Sequence, residues 1–264
     1  LLLISYFFLK TLDNDNLYLR KFFFVGFFLG LLMLIKPIAI GLGFIFSISI
    51  FLLKNNLKNI QKIFYSIIIL LGIEVAILPW QIFVFNQTNE PVFLMPNSIM
   101  MIKDGFVFNL KTNGRLGVNL GNDVNEIAYI VKQNWNEIKT LPDLTEILYP
   151  YFKNSPFSFI KLFFIKLFRS FYATDSHRYE TYSFIMQIIY FSIIIKGIVC
   201  SFNHSKALNR FLIFSSLILL YFLANSVVVV PILRYINPSL GFFFIFVPLG
   251  LFKNSNIMKG LISK

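Results

Sequence analysis

FFFVGFFLGLLMLIKPIAIGLGFIFSISIFLL, residues 22–53, is too long for one membrane crossing and short for two, with Lys36-Pro37 at its middle. One apolar helix needs about 20 residues to cross a hydrocarbon core of ~30 Å. The flanking charges decide how the stretch is read. Lys10, Arg20 and Lys21 precede it, and Lys54, Lys58 and Lys62 follow it. A single crossing would put these two basic gaps on opposite sides, whereas short basic loops collect on the cytoplasmic side. The stretch therefore reads as a hairpin. Proline removes a backbone donor and disfavours helix at the residue before it, so the turn belongs at Lys36-Pro37. Lys36 needs water or a partner there, which places the turn at the outer surface.

The rest of the chain supports a membrane setting. Of 264 residues 57% are hydrophobic and 14% charged, with 34 Phe. The mean hydropathy is +0.72. Soluble domains are about 25% charged. Runs rich in Ile, Leu and Phe, without strand-like alternation, predict helical spans. The net charge of +12 does not point to nucleic acid, because the basic residues fall in short gaps between apolar runs. Lys206, Arg210 and the tail residues Lys253, Lys259 and Lys264 complete that set, with Asp13 and Asp15 the acids among them. The single cysteine, Cys200, excludes an intramolecular disulfide framework and a cysteine-based metal site. LLLISYFFL at the start has no Met and no basic region; it reads as the end of a helix, and the chain as a C-terminal fragment with a truncated N-terminus.

The expected fold is an all-α polytopic membrane protein in three parts. Residues 1–82 hold transmembrane helices at 1–9 (inward), 22–35 (outward), 37–53 (inward) and 63–82 (outward). Residues 83–181 form a long external segment. Residues 182–264 add helices at 182–200, 211–230 and 237–252 and a cytoplasmic tail, which leaves Arg234 external. The external segment is polar and Asn-rich, with helix-start signals at Asp123 with Glu126, Asp143 with Glu146, and Ser155-Pro156. These predict short helices over 124–139, 144–153 and 157–172. KTNGRLGVNLGND, 111–123, is expected to be a loop, since it lacks the strand context and spacing of a phosphate-binding loop.

In FSFIKLFFIKLFRSFY, 157–172, Lys166 and Arg169 lie about 140° and about 80° around a helix from Lys161, opposite most of the Phe, Ile and Leu. The pattern predicts an interfacial helix with a basic face. That face either anchors to headgroups or lines the access route for an anionic lipid-linked substrate. Glu74, in LLGIEVAILPW, is an acid inside a span; it is either functional or paired, for example with Lys36 or Lys196. His177 and His204 stand in loops with no partner at metal-ligand or triad spacing, and no cofactor is evident. Asn86-Gln87-Thr88 and Asn203-His204-Ser205 match the glycosylation triplet, but glycosylation is not expected here.

The order KFFFVGFFLGLLMLIKP, ILPWQIFVFNQTNEP, NSPFSFIKLFFIKLFRSFY and LRYINPSLGFFFIFVP resembles the later part of the GT-C membrane glycosyltransferases. Within that fold it is most similar to the bacterial branch related to the protein mannosyltransferases and the aminoarabinose transferase. The family's G-x-x-x-G-x-x-x-L-x-[KR]-P run falls on Gly26, Gly30, Leu34, Lys36 and Pro37, its Leu-Pro-Trp on Leu78, Pro79 and Trp80, and its Arg-Tyr on Arg234 and Tyr235. The resemblance implies a GT-C-like transmembrane bundle in the bacterial inner (plasma) membrane. It implies a polyprenyl-phosphate-linked sugar donor and transfer to a glycan, lipid or protein acceptor on the outer face, with inversion. It also implies that the catalytic acid lies upstream of residue 1. A donor phosphate needs a fixed cation where charge develops, and Arg234 and Lys36 are the candidates, supported by Tyr235, Glu74 and Trp80. Asp104, Asp175 and Glu180 are external acids that spacing does not single out as a base. A polysaccharide polymerase or ligase and, further off, a transporter are the other classes the pattern allows.

Overall fold

The computed structural model describes residues 1–13, 18–89, 98–112, 121–174, 179–201 and 206–252. Residues 113–120 of the loop expected at 111–123, Asp15, Asp175, His177, His204 with its Asn203 triplet, and Lys253, Lys259 and Lys264 lie outside these residues, while the ends of that expected loop are helical at Lys111–Thr112 and Asn122–Asp123. The described residues are 86% helical, with no strand among them. The helices are α1 (Leu2–Asp13), α2 (Leu19–Ile35), α3 (Leu42–Leu53), α4 (Asn59–Thr88), α5 (Ser98–Thr112), α6 (Asn122–Gln133), α7 (Leu141–Asn154), α8 (Pro156–Arg169), α9 (Glu180–Ser201), α10 (Lys206–Val228), α11 (Leu233–Leu240) and α12 (Phe246–Phe252). They form two compact units: Leu1–Pro96 with Ile194–Tyr221 and Pro238–Lys264, and Asn97–Ile193 with Phe222–Asn237.

Among the described residues four stretches are long and apolar enough to cross a membrane: Asn59–Thr88, Glu180–Ser201, Ala207–Val228 and Leu233–Leu251. Their outward faces stay apolar, as Phe64, Ile67, Leu71, Val75 and Leu78 show on α4. So much exposed apolar surface would not be tolerated in water, and suits lipid. The chain is a membrane protein. The helices expected at 1–9, 22–35 and 37–53 are shorter than these four. At 1.5 Å per residue, the 17 residues of α2 rise only ~25 Å.

In the first unit the hairpin forms as charge placement predicts. Helix α2 ends at Ile35, Lys36 takes an extended conformation, and a 3-10 turn over Pro37–Ala39 leads into α3. A Cβ added to Gly26 would strike the Ile69 carbonyl, and one added to Gly30 would lie 2.7 Å from the Ala76 Cβ and meet Ile73. One added to Gly72 would strike the Phe23 carbonyl. These small residues let α2 and α4 approach to backbone contact, the packing that G-x-x-x-G permits. Position 26 meets 69 and 30 meets 73, so α2 and α4 run parallel. Gly43 lies beside Ile73, and Lys62 reaches the Phe51 carbonyl at 3.2 Å, so α3 runs back antiparallel to α4.

The basic gaps meet at one end of this unit. Lys54 Nζ donates to the Leu12 carbonyl at 2.8 Å, and Arg210 pairs with Asp13 at 3.0 Å. The hairpin tip lies further along α10, where the Tyr221 hydroxyl donates to the Ile38 carbonyl (2.6 Å) and accepts from the Gly41 N–H (2.8 Å). Eleven residues of helix separate Arg210 from Tyr221, or ~16 Å of rise. Phe8, Phe46 and Phe214 fill the space inside, with ring centroids 4.8–5.5 Å apart.

The second unit has its own core of Phe108, Val124, Ile127, Val131, Ile138, Leu144, Leu148, Phe159 and Leu162. Several boundaries differ from expectation. Helix α4 does not end at 82; it carries Pro79 inside and runs on to Thr88, so the separate unit begins near 97 rather than 83. Helix α7 is capped one turn early, by Thr140, with Asp143 returning the bond to the Thr140 N–H at 2.8 Å. Gly121 rather than Asp123 caps α6. Ser155-Pro156 opens α8 as expected, and α5 is a helix the sequence reading did not name. The last span is broken: α11 is followed by a 3-10 stretch, Gly241–Ile245, before α12.

Candidate functional site

The charges of the second unit converge on α8, and they face inward. Lys166 and Arg169 are 0% and 1% exposed, while Phe157 and Phe168 on the other side are 82% and 66% exposed. Periodicity predicts the arc but not its orientation: the Phe face is open, and the expected open basic face is not formed. Lys161 alone of the three keeps solvent contact, held by Asp123 at 3.0 Å. That hydrogen bond and charge hold the Asp123 carboxyl below its usual range.

Each buried cation has a specific anchor. Arg169 Nη2 donates to Glu180 Oε1 at 2.8 Å, with both side chains almost wholly buried. The guanidinium also lies 5.7 Å from the ring centres of Phe108 and Tyr172. Its Nε and Nη1 have no hydrogen-bond partner among the described residues, and neither has the Thr174 hydroxyl. Lys166 Nζ donates to the Val228 carbonyl at 3.3 Å and lies 5.4 Å from the Phe106 ring centre. Val228 ends α10, so this cation sits at the negative end of a helix. Burial lowers the Lys166 pKa to about 7. Lys103 donates to the Trp135 and Ile138 carbonyls at 2.7 and 2.9 Å, just beyond α6.

Arg234 is brought to the same region by its backbone neighbour. The Leu233 N–H donates to the Ala173 carbonyl at 2.8 Å, which ties the start of α11 to the turn after α8. Arg234 occupies the first turn of α11, exposed, with its guanidinium 5.4 Å from the Tyr235 ring centre. It is therefore helical, and Pro238 lies inside the same helix.

The remaining sequence candidates belong to the first unit. Lys36 is exposed at the hairpin tip. Glu74 is exposed within α4, and among the described residues it pairs with neither Lys36 nor Lys196. Leu78-Pro79-Trp80 lies within α4, with Trp80 half-buried. Glu180, one of the three undistinguished acids, is committed to Arg169. Sequence reading missed the burial of Lys103 and the role of Glu180. An acid in the first turn of an apolar helix was the available signal for Glu180. Among the described residues no group of three His, Cys, Asp or Glu side chains is placed to hold a metal ion. Comparison with known proteins finds no matching family model, no matching curated protein and no matching solved structure.

Proposed function

We propose that this chain is an integral-membrane glycosyltransferase of a bacterial inner membrane. It would move a sugar from a polyprenyl-phosphate-linked donor to a glycan, lipid or protein acceptor on the outer face. Arg234 carries the reading: an exposed, permanently charged fork in the first turn of a short helix, directly after an apolar span, Ala207–Val228. A donor anchored by its lipid presents its phosphate at the level of such a helix end. As the acceptor oxygen bonds the anomeric carbon, the C–O bond to phosphate breaks and its electron pair stays on the phosphate oxygen. A guanidinium beside that oxygen stabilises the developing charge. The acceptor proton passes to a general base that no residue described here is assigned to supply.

The test is sugar transfer in proteoliposomes from a polyprenyl-phosphate donor. Removing one such charge-stabilising donor typically lowers kcat by 10²–10³-fold, so Arg234→Ala is expected to lose about that much. Full turnover by a correctly inserted Arg234→Ala protein would sink the reading. Lys36→Ala, in the first unit, is assayed separately as the second candidate cation. A transporter is the second reading, favoured by one observation: apolar segments are interrupted both at Lys36–Ile40 and at Gly241–Ile245. Solute flux without transfer would select it.

A further inference from the structure

We propose that the first unit binds one anionic phospholipid at the basic ends of its helices. A cavity of about 370 Å³ opens there, among the ends of α1 and α3 and the start of α10. It falls within the ~300–1,000 Å³ of ordinary small-molecule sites. Leu12, Leu53, Leu208 and Phe211 supply its apolar walls, while Lys10, Asp13 and Arg210 are the charged side chains in its lining. This division matches an amphiphile: a hydrocarbon chain against the walls and one phosphate beside the cations. A free anion would leave the leucines wet, and an uncharged lipid would leave Lys10 without a counter-ion among the described residues.

The charges are unequal. Asp13 pairs with Arg210 at 3.0 Å, with both side chains about half exposed, so the guanidinium keeps open edges. Lys10 lies 5.8 Å from the Tyr6 ring centre and has no carboxylate partner among the described residues. One positive charge is left over. The wall is fixed in place because Lys54 holds the Leu12 carbonyl. The cavity also lies at the end where the basic gaps gather, the level at which headgroups sit. This inference does not rest on glycosyl transfer.

The experiment reconstitutes the full chain in phosphatidylcholine nanodiscs and adds photoreactive phosphatidylglycerol or photoreactive phosphatidylcholine. Preferential labelling by phosphatidylglycerol, mapped to the cavity walls, is expected. Each of Lys10→Gln and Arg210→Gln should weaken it about fivefold, the effect of one surface cation on an anionic lipid. Leu208→Trp, which fills the cavity and leaves the charges, should abolish it; Leu53→Phe serves if that variant fails to fold by circular dichroism and gel filtration. Equal labelling by both lipids, or labelling that survives the filled cavity, would overturn the proposal. So would displacement by millimolar inorganic phosphate or glycerol phosphate, which would mean a site for the headgroup anion alone.

Discussion

The two units spend the same residue types in opposite ways. In the first, most cations gather at one helix end, where Arg210 stays wet, although Lys62 is buried on the Phe51 carbonyl, and the interior is built from glycines, alanine and phenylalanine rings. In the second, Lys103, Lys166 and Arg169 are all buried, against the single buried carboxylate of Glu180 among the described residues. A cation at a membrane surface costs little and orients the chain. A buried cation costs several kcal/mol unless it is paired or hydrogen-bonded, so each must be held by particular neighbours. The first unit therefore depends on close backbone contact and the second on a few polar bonds.

The sharpest way to break this contrast is to remove Glu180. Glu180→Ala leaves Arg169 buried and uncompensated, and losing one partner of such a pair costs about 3–5 kcal/mol. The expected outcome is a large fall in thermal unfolding temperature in detergent, with the double replacement Arg169→Met, Glu180→Leu recovering most of it. A Glu180→Ala protein as stable as the parent would show that the pair is not what holds this core.

The matching test in the first unit is Gly72→Ala. The added methyl would strike the Phe23 carbonyl and lie 2.8 Å from the Phe27 nitrogen, both backbone atoms that cannot rotate away. Overpacking of this kind costs about 1–3 kcal/mol. An unfolding curve unchanged by Gly72→Ala would mean that α2 and α4 do not approach so closely.

The contrast also explains what could be read from sequence. The hairpin at Lys36-Pro37 was legible because charge asymmetry and proline chemistry act locally. The arc on α8 was legible from periodicity, but its direction was not: periodicity says that Lys166 and Arg169 share a side, and only tertiary packing says which side is covered. Lys166 meets Val228 across 62 residues, and Arg169 meets Glu180 across a break in helix. Helix α5 escaped because SIMMIKDGFVFNLKT is too short for a span and carries Gly105, a poor helix former, in its interior. Arg234 was singled out by its isolation among apolar residues, whereas the tie of its neighbour Leu233 to Ala173 is a product of the fold.

The smallest effect is a slope in pH, and it isolates one buried cation. Lys166 has its pKa lowered to about 7 by burial, from an ordinary 10.5 in the unfolded chain. Between those two values the unfolded chain holds the proton and the folded chain does not. Unfolding then takes up a proton, so stability rises with pH by at most ~1.4 kcal/mol per unit across that window. Below about pH 7 both states are protonated, the slope vanishes, and the folded state bears the full cost of a buried charge. Lys166→Met removes the titrating group while keeping most of the apolar stem. Relative to the parent it should gain stability most at pH 6 and progressively less toward pH 10, as read from unfolding temperatures in one detergent across that range. Parallel pH profiles for the two proteins would mean that Lys166 is charged and fully compensated in the fold. The second unit would then hold its cations as securely as the first holds its own at the helix ends.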